Sequence, residues 1–219
     1  MRASITVEKN DRVILVDTTP ELRVQSLAFD VNRVDAVFIT HLHADHIFGF
    51  DDLRRFNDIA KQDMPVYSDQ KSCDGIRQIF PYIFAPPKQG GGVPKVDLRI
   101  VEPGFNLYGI DIRSFYVLHG LLPVLAYRFD DFAYLTDVNS IPPEAVEQLQ
   151  GLDLLILDCV RFEPHSTHFG LYEALEIVDF LKPKQTYFTH LSHAFDHDVV
   201  NAALKPESQL AYDGQIIEL

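Results

Sequence analysis

Residues Thr40–His46 read THLHADH and place three of the nine histidines and one aspartate within seven positions. Neutral imidazole and carboxylate groups are the usual nitrogen and oxygen ligands of zinc and its neighbouring metals. Side chains held two residues apart on a loop can converge on one point, whereas a regular helix or strand would separate them. The stretch therefore predicts a metal-binding loop, in preference to a solvated polar loop that is merely rich in histidine.

The flanking sequence predicts an α/β protein in which this loop follows a strand. Val13–Asp17 is an apolar run that indicates a buried strand, and Asp35–Thr40 indicates the strand that leads into the loop. Helical spacing follows at Asp51–Lys61, and alternation with a period of two predicts several strands between Asp97 and Asp137. Thr167 is predicted to start a helix that runs to Leu181. The order is sheet, helices, sheet, helices.

Three other stretches lead to expectations about local structure. Gln70–Phe84 predicts a single helix, and the turn residues Asp213–Gly214 predict a pair of strands at the end of the chain. Pro86–Pro94 holds three consecutive glycines between prolines and predicts a mobile loop. We interpret that loop as a connector in preference to a flap that covers substrate.

Composition favours one domain with a sizeable core. The 219 residues are 47% hydrophobic, and no repeat or linker separates two halves, so we expect a single domain over residues 1–219 in preference to two small ones. Acidic residues outnumber basic ones and give a formal charge of -13. Such a charge repels nucleic acid phosphates at long range. A nucleic acid polymer is therefore not the expected partner.

Cysteine usage and hydropathy indicate the compartment. Cys73 and Cys159 are the only cysteines, too few for a disulfide framework or a zinc knuckle. The chain has no run of about eighteen apolar residues and no signal-peptide segment at its start. We expect a cytoplasmic protein without a membrane partner, with an export signal outside this sequence left open.

Three more candidate ligands lie far from the histidine loop. His119, Asp137 and His190 each follow an apolar strand, at the kind of sheet end where side chains from distant segments converge. Alone, each is more typical of a cap or a hydrogen-bonded core residue. Together with the loop they make seven donors, which divide naturally into two metal sites with a carboxylate between them.

These residues and their surroundings resemble a known family. The HxHxDH pattern of Thr40–His46, followed in order by His119, Asp137 and His190, is similar to the metallo-β-lactamase superfamily. The phrases ILVDTTPELR, FITHLHADHIFGFDDLR, YLTDVNSIP, THLSHAFDHDVV and AYDG resemble the branch that contains the phosphoribosyl cyclic phosphodiesterase of phosphonate breakdown. The resemblance covers nearly the whole chain from Arg2 onward.

The resemblance implies a fold and a ligand set. The fold is the four-layer αβ/βα sandwich of the α/β class, with two mixed sheets face to face and helices outside. Two divalent metal ions are implied, with zinc favoured and manganese or iron also accepted by such ligands. The implied ligands are His41, His43 and His119 for the first ion, Asp45, His46 and His190 for the second, and Asp137 as the bridge.

Two departures from the branch are visible. Its members begin with an extra strand and a loop rich in glycine and serine, often with cysteines that bind a structural zinc. This chain starts after that point, so we expect the N-terminal strand and loop to be missing. His193 occupies a position that in the branch helps to hold the structural zinc, but here it lacks cysteine partners and is left out of the metal set.

Asp17, at the end of its predicted strand, has two possible roles: it orients a metal ligand or caps the following helix.

The implied chemistry is hydrolysis by a hydroxide that two metal ions share, with a phosphoryl oxygen polarised during in-line attack. Asp45 and His168 are the candidate catalytic residues. His168 is expected at the start of the Thr167 helix, where backbone N–H groups favour an anion, and it would protonate the leaving oxygen. The expected partner is a small phosphate ester, nucleotide-like or cyclic, and a homodimer is one possible assembly.

Three alternatives stay open at the level of sequence. A thioesterase or lactonase of the same superfamily uses the same hydroxide on a carbonyl carbon. A tRNA 3′-processing nuclease shares the HxHxDH set, but the charge of -13 and the lack of a basic tract disfavour it. A non-catalytic accessory protein of cofactor biosynthesis is disfavoured by the presence of all seven donors.

Overall fold

The computed structural model describes residues 1–85 and 92–219, which form two compact units, Met1–Val101 and Glu102–Leu219. Each unit is built on one β-sheet and has its own apolar core. Residues 86–91 of the predicted Pro86–Pro94 loop lie outside the described residues. The two units are described separately, and a single domain over the whole chain stays a prediction.

The first unit contains a five-stranded mixed sheet in the order β1-β2-β3-β4-β5. Its strands are β1 (Ile5–Lys9), β2 (Arg12–Val16), β3 (Ala36–Phe38), β4 (Met64–Ser68) and β5 (Val96–Ile100). Its helices are α1 (Leu22–Ala28), α2 (Ala44–Ile47), α3 (Leu53–Ala60), α4 (Gln70–Ile79) and α5 (Pro81–Phe84), with a 3-10 turn at Phe50–Asp52. The β1–β2 pair is antiparallel, and the other pairs are parallel.

The central strands of this sheet bring the histidine loop to its carboxyl edge. β2 and β3 pair in parallel with Val16 opposite Phe38, and both strands are apolar because both of their faces are buried. The ladder continues one residue further, where the Asp17 amide donates to the Phe38 carbonyl at 2.8 Å. Asp17 and Thr40 therefore emerge side by side at one edge of the sheet.

Two predictions in the first unit need correction. The histidine stretch is not a loop throughout, because α2 begins at Ala44 and places Asp45 and His46 on a short helix. The predicted helix Gln70–Phe84 is two helices, which part at Phe80. Pro81 causes the break, since proline has no amide hydrogen to continue a helix and disfavours helical backbone at the preceding residue.

The second unit contains a seven-stranded mixed sheet in the order β12-β11-β10-β9-β8-β7-β6. Its strands are β6 (Gly104–Leu107), β7 (Ile110–His119), β8 (Leu122–Phe129), β9 (Phe132–Leu135), β10 (Leu154–Asp158), β11 (Gln185–Thr189) and β12 (Ser208–Leu210). Its helices are α6 (Pro143–Gln148), α7 (Leu171–Leu181) and α8 (His197–Ala203). β6 to β9 pair antiparallel, and β9 to β12 pair in parallel.

Parallel pairing sets the carboxyl edge of this second sheet. Leu157 of β10 lies opposite Leu135 of β9 on one side and Phe188 of β11 on the other, and all three side chains are buried. The residues that follow these strands, among them Asp137 and His190, therefore come to the same edge as Asp158.

Two predictions in the second unit are wrong. α7 begins at Leu171, four residues after the predicted start at Thr167, because Gly170 caps the helix and its amide donates to Glu173 Oε2 at 2.9 Å. Residues 211–219 contain no strand, so the pair expected around Asp213–Gly214 is absent; the last strand, β12, pairs in parallel with β11.

The predicted α/β class with two mixed sheets is confirmed. Among residues 1–85 and 92–219, helices are too short or too polar to span a lipid bilayer, and α7 has only 11 residues.

Candidate metal centre

The first unit holds four of the predicted ligands close together, and we call them the first-unit cluster: His41, His43, Asp45 and His46. The ring centroid of His41 lies 4.5 Å from that of His43 and 4.3 Å from that of His46. Asp45 Oδ2 lies 3.6 Å from His46 Nε2. His41 and His46 are buried, so their imidazoles are held where solvent does not compete for them.

Asp17 organises this cluster. Its Oδ1 accepts the Thr40 amide at 2.8 Å, and its Oδ2 accepts the Thr40 hydroxyl and His46 Nδ1, both at 2.8 Å. The side chain is fully buried. The alternative role as a helix cap is not observed, because α1 begins at Leu22 and its N-cap is Glu21. Asp17 therefore orients a candidate ligand.

The hydrogen bonds decide the tautomers of two histidines. His46 Nδ1 faces a carboxylate, which only accepts, so this nitrogen carries the hydrogen. The Thr40 hydroxyl gives its one hydrogen to Asp17, so it accepts from His41 Nδ1 at 3.0 Å. In both rings the Nε2 atom then carries the lone pair. This arrangement fits a metal ion, because metal-binding histidines commonly donate their other ring nitrogen to a carboxylate or hydroxyl partner.

The second unit brings together the three distant ligands, and we call them the second-unit cluster: His119, Asp137 and His190. Asp137 Oδ2 lies 3.7 Å from His119 Nε2, and Asp137 Oδ1 lies 3.3 Å from His190 Nε2. Each carboxylate oxygen therefore faces the ring nitrogen of a different histidine. This arrangement suits a carboxylate that bridges two metal ions with one oxygen on each ion.

Backbone contacts hold the rings of this cluster in place. His119 Nδ1 donates to the Thr167 carbonyl at 2.7 Å, so its Nε2 has the lone pair. Asp137 and His190 have backbone φ angles of 51° and 59°, in the left-handed region, and each comes shortly after a strand of the second sheet. Aspartate and histidine tolerate this region better than most residues.

His168 lies beside the second-unit cluster. Its ring centroid is 4.7 Å from that of His119 and 4.9 Å from that of His190. One candidate ligand atom from each of Asp137, His168 and His190 lies within 4.8 Å of the other two. The predicted helix start does not explain this position, because α7 begins three residues later at Leu171. A side-chain partner holds the ring instead.

That partner is Asp158, which the sequence reasoning missed. Asp158 Oδ2 lies 2.9 Å from His168 Nδ1, and Oδ1 lies 3.9 Å from His190 Nδ1. Burial raises the pKa of the Asp158 carboxyl, and the hydrogen bond with His168 opposes that shift. A signal was present, because Asp158 ends a buried apolar strand just as Asp17 follows one.

His193 is exposed on the surface of the second unit. His165 is half-buried, and its ring centroid lies 5.2 Å from that of His168.

Comparison with known proteins gives matches over most of the chain. Residues 12–191 match the family described as the β-lactamase superfamily domain. The crystal structure of a diphosphatase from the PhnP family superposes with a TM-score of 0.91 at 38% identity, covering 100% of this chain and 84% of that one.

Two further relatives have names that indicate two different activities. The exodeoxyribonuclease WalJ of Streptococcus pneumoniae is 30% identical over 213 residues, which are 92% of this chain and 71% of that protein. The octanoyltransferase of Porphyromonas gingivalis is 32% identical over 205 residues, again 92% of this chain. The chain spans only 41% of the length of that octanoyltransferase.

Proposed function

The chain belongs to the β-lactamase superfamily, in its PhnP-like branch, and from this membership we propose that it is a dinuclear phosphodiesterase. Membership makes it a hydrolase with metal-binding groups, and the donor chemistry of the two clusters implies divalent metal ions. The substrate we propose is a small nucleotide-like or cyclic phosphate ester or a related organic diphosphate. One observation carries the choice of phosphate: the similarity to a PhnP-family diphosphatase along the entire chain.

We assign the metal ligands as the sequence predicts them. The residues proposed are His41, His43 and His119 for one ion, Asp45, His46 and His190 for the other, and Asp137 for both. Zinc is the favoured metal, and manganese and iron suit the same mixture of imidazole and carboxylate. When bound, two such ions lower the pKa of a water molecule and polarise a phosphoryl oxygen.

His168 is the proposed general acid. Its Nδ1 donates to Asp158, which leaves Nε2 as the ring atom that can carry the proton a general acid gives up. Nε2 can then give its proton to the leaving oxygen of the ester, and the same Asp158 contact keeps the ring in place. Asp45, a half-buried carboxylate, is the proposed acceptor for a proton of the attacking water.

A second candidate is the hydrolysis of an acyl ester or thioester. The specific observation in its favour is the similarity to an octanoyltransferase, since octanoyl transfer is chemistry at a carbonyl carbon. The region similar to this chain is less than half of that protein, so the transferase activity can belong to the remainder. Nuclease activity is a third candidate because of the similarity to WalJ.

The deciding experiment combines metal analysis with a hydrolysis screen. The purified protein is tested on bis(4-nitrophenyl) phosphate, a cyclic ribose phosphate, an octanoyl thioester, a lactone and single-stranded DNA. We expect two metal ions per chain and phosphodiesterase activity that a chelator abolishes. Activity only on the thioester or lactone would overturn the proposal and favour the second candidate.

Asp137→Asn tests the bridge within the same experiment. The variant replaces one carboxylate oxygen by an amide nitrogen, which is a poor metal ligand, so metal pairing and activity are both expected to fall. Full retention of both would contradict the assignment. Asp131→Asn is a matched control, because Asp131 is an exposed aspartate of the same unit that pairs with Arg128 at 3.0 Å.

Two other proposals rest on the sequence. Cys73 and Cys159 are buried free thiols, which suits a reducing cytoplasm. A homodimer stays a prediction, to be measured by light scattering.

A further inference from the structure

A short basic segment borders the proposed general acid. We call it the basic loop, and it runs from Arg161 to His168. It carries one arginine, one exposed glutamate (Glu163) and two histidines in a protein with a formal charge of -13. His165 and His168 lie with their ring centroids 5.2 Å apart, and Arg161 is on the same loop. The loop therefore offers the hydrogen-bond donors of Arg161 and His165 beside His168.

Arg161 is held in place by backbone carbonyl groups. Its Nε donates to the Glu163 carbonyl at 3.2 Å, and its Nη2 donates to the Pro164 carbonyl at 2.6 Å. Within the described ranges 1–85 and 92–219, its guanidinium forms no ion pair with a carboxylate. These two contacts use only part of its five N–H donors. Arginine in this state is suited to bind a phosphate.

His165 is oriented as a hydrogen-bond donor. Its Nδ1 accepts the Thr167 amide at 3.3 Å and lies 3.2 Å from the Thr167 hydroxyl. An accepting Nδ1 places the hydrogen of the neutral ring on Nε2. Burial lowers the pKa of His165, and nearby His168 and Arg161 lower it further, so the ring is neutral at pH 7. His165 can therefore donate from Nε2 to an anion.

We propose that Arg161 and His165 bind a second anionic group of the substrate, next to the phosphate that is cleaved. This inference rests on the proposed function and narrows it to substrates with two phosphates, of the organic diphosphate class. The guanidinium supplies charge and parallel N–H donors, and His165 Nε2 supplies one further donor. The neighbouring His168 is left to act on the leaving oxygen.

The proposal predicts that the protein binds a ligand with two phosphonate groups more tightly than a ligand with one. Methylenediphosphonate, which cannot be hydrolysed at its P–C–P linkage, should bind the metal-loaded protein more tightly than methylphosphonate. Arg161→Gln and His165→Gln should each reduce the ratio of the two affinities by about tenfold or more, the size expected for a lost charge-assisted hydrogen bond. Isothermal titration calorimetry measures both affinities without requiring turnover.

Controls separate binding from folding. Arg113→Gln removes an exposed arginine of the same unit whose side chain donates to Gln148 at 3.5 Å, and the affinity ratio should not change. Arg161 also supports the loop, so an equal loss of affinity for both phosphonates would show a structural role and overturn the proposal. His165→Gln tests the same subsite through a different side chain. An unchanged ratio in both variants, or no preference in the wild type, would also overturn it.

Turnover gives a second measurement. The ratio of kcat/KM for a nucleoside diphosphate sugar to that for bis(4-nitrophenyl) phosphate should fall in Arg161→Gln and His165→Gln and should not change in Arg113→Gln. If the wild type hydrolyses no phosphate substrate, the proposed function fails. The phosphonate affinities then still decide whether the basic loop binds a second anion.

Discussion

Asp17 and Asp158 are buried aspartates, one in each unit, and each orients the ring of a histidine. Each follows or ends an apolar strand, and each hydrogen-bonds the Nδ1 atom of a candidate site histidine, at 2.8 Å for His46 and 2.9 Å for His168. A buried carboxylate is costly unless such partners satisfy it. The position of each aspartate is therefore explained by the ring that it orients.

Asp17→Asn should weaken metal binding without unfolding the first unit. An asparagine cannot accept all three hydrogen bonds, because its amide nitrogen would face either the Thr40 amide or His46 Nδ1. Loss of such an orienting contact lowers metal affinity by about 10-fold to 100-fold. Competition with a chromogenic chelator measures the change. Asp74→Asn, at an exposed site in the same unit, is the control; equal zinc affinity in both variants would contradict the role of Asp17.

His168→Ala separates catalysis from metal binding. We expect two metal ions per chain to be retained and kcat to fall by roughly 100-fold or more, as for the loss of a general acid. Steady-state kinetics and metal analysis of one preparation supply both values. His193→Ala removes an exposed histidine and should alter neither. Unchanged turnover in His168→Ala would rule out the general-acid role, and loss of metal would make His168 a ligand instead.

Among the elements, strand β3 leads into the histidine stretch, and contacts of Asp35 hold its start in place. Asp35, just before it, accepts hydrogen bonds from the Arg33 and Arg12 side chains and from the Val13 amide. Burial alone would raise the pKa of Asp35, but these contacts together outweigh it and hold the pKa below its ordinary value. The ionised carboxylate therefore stabilises the start of the strand.

Asp35→Asn should lower the free energy of unfolding in a way that depends on pH. Because the pKa is lower in the folded protein, the stabilisation is complete above the ordinary carboxyl pKa and is lost as the pH falls through the folded value. We expect a loss of roughly 2 kcal/mol at pH 7 that shrinks below about pH 4. Urea denaturation at several pH values measures it. Asp63→Asn, at an exposed site, should show no such dependence; a constant difference for Asp35→Asn would contradict the ionic explanation.

Helix boundaries show where local patterns are insufficient. Thr167 has the hydroxyl of a good cap, yet α7 begins at Leu171, because Glu173 binds the Gly170 amide and the Thr167 carbonyl accepts from His119. A contact from a residue 48 positions away outweighs a local preference here. The same reasoning applies to Asp158, whose partner His168 is identified only by the folded backbone.

For the whole molecule, the charge of -13 bears on the similarity to a nuclease. Proteins steered towards nucleic acids by basic surfaces lose affinity as salt rises, whereas an acidic protein is repelled and gains from screening. Hydrolysis of single-stranded DNA, if measurable, should therefore have a kcat/KM that rises between about 50 and 200 mM salt. A steep fall over that range would contradict this prediction and favour a nuclease. A neutral lactone or thioester provides the control, with little salt dependence.

Residue type and spacing were enough to predict the α/β class, which is confirmed, and a set of metal ligands, which stays a prediction. Apolar strands that end in aspartate or histidine predict an α/β protein with a metal centre, and the HxHxDH pattern identified the family that the comparisons confirm. These features could be predicted because the burial of a strand and the chemistry of a ligand depend on the type and spacing of nearby residues.

Only the folded structure showed which atoms of the candidate site residues contact each other. It determined that Asp17 orients His46 instead of capping a helix, that Asp158 holds His168, and that Asp137 turns one oxygen to each of two histidines. Partners such as Thr40 and Asp17 are 23 residues apart in the chain and meet only because β2 and β3 pair in parallel. Hydrogen bonding between distant residues depends on strand pairing and backbone direction, and a local sequence pattern contains neither.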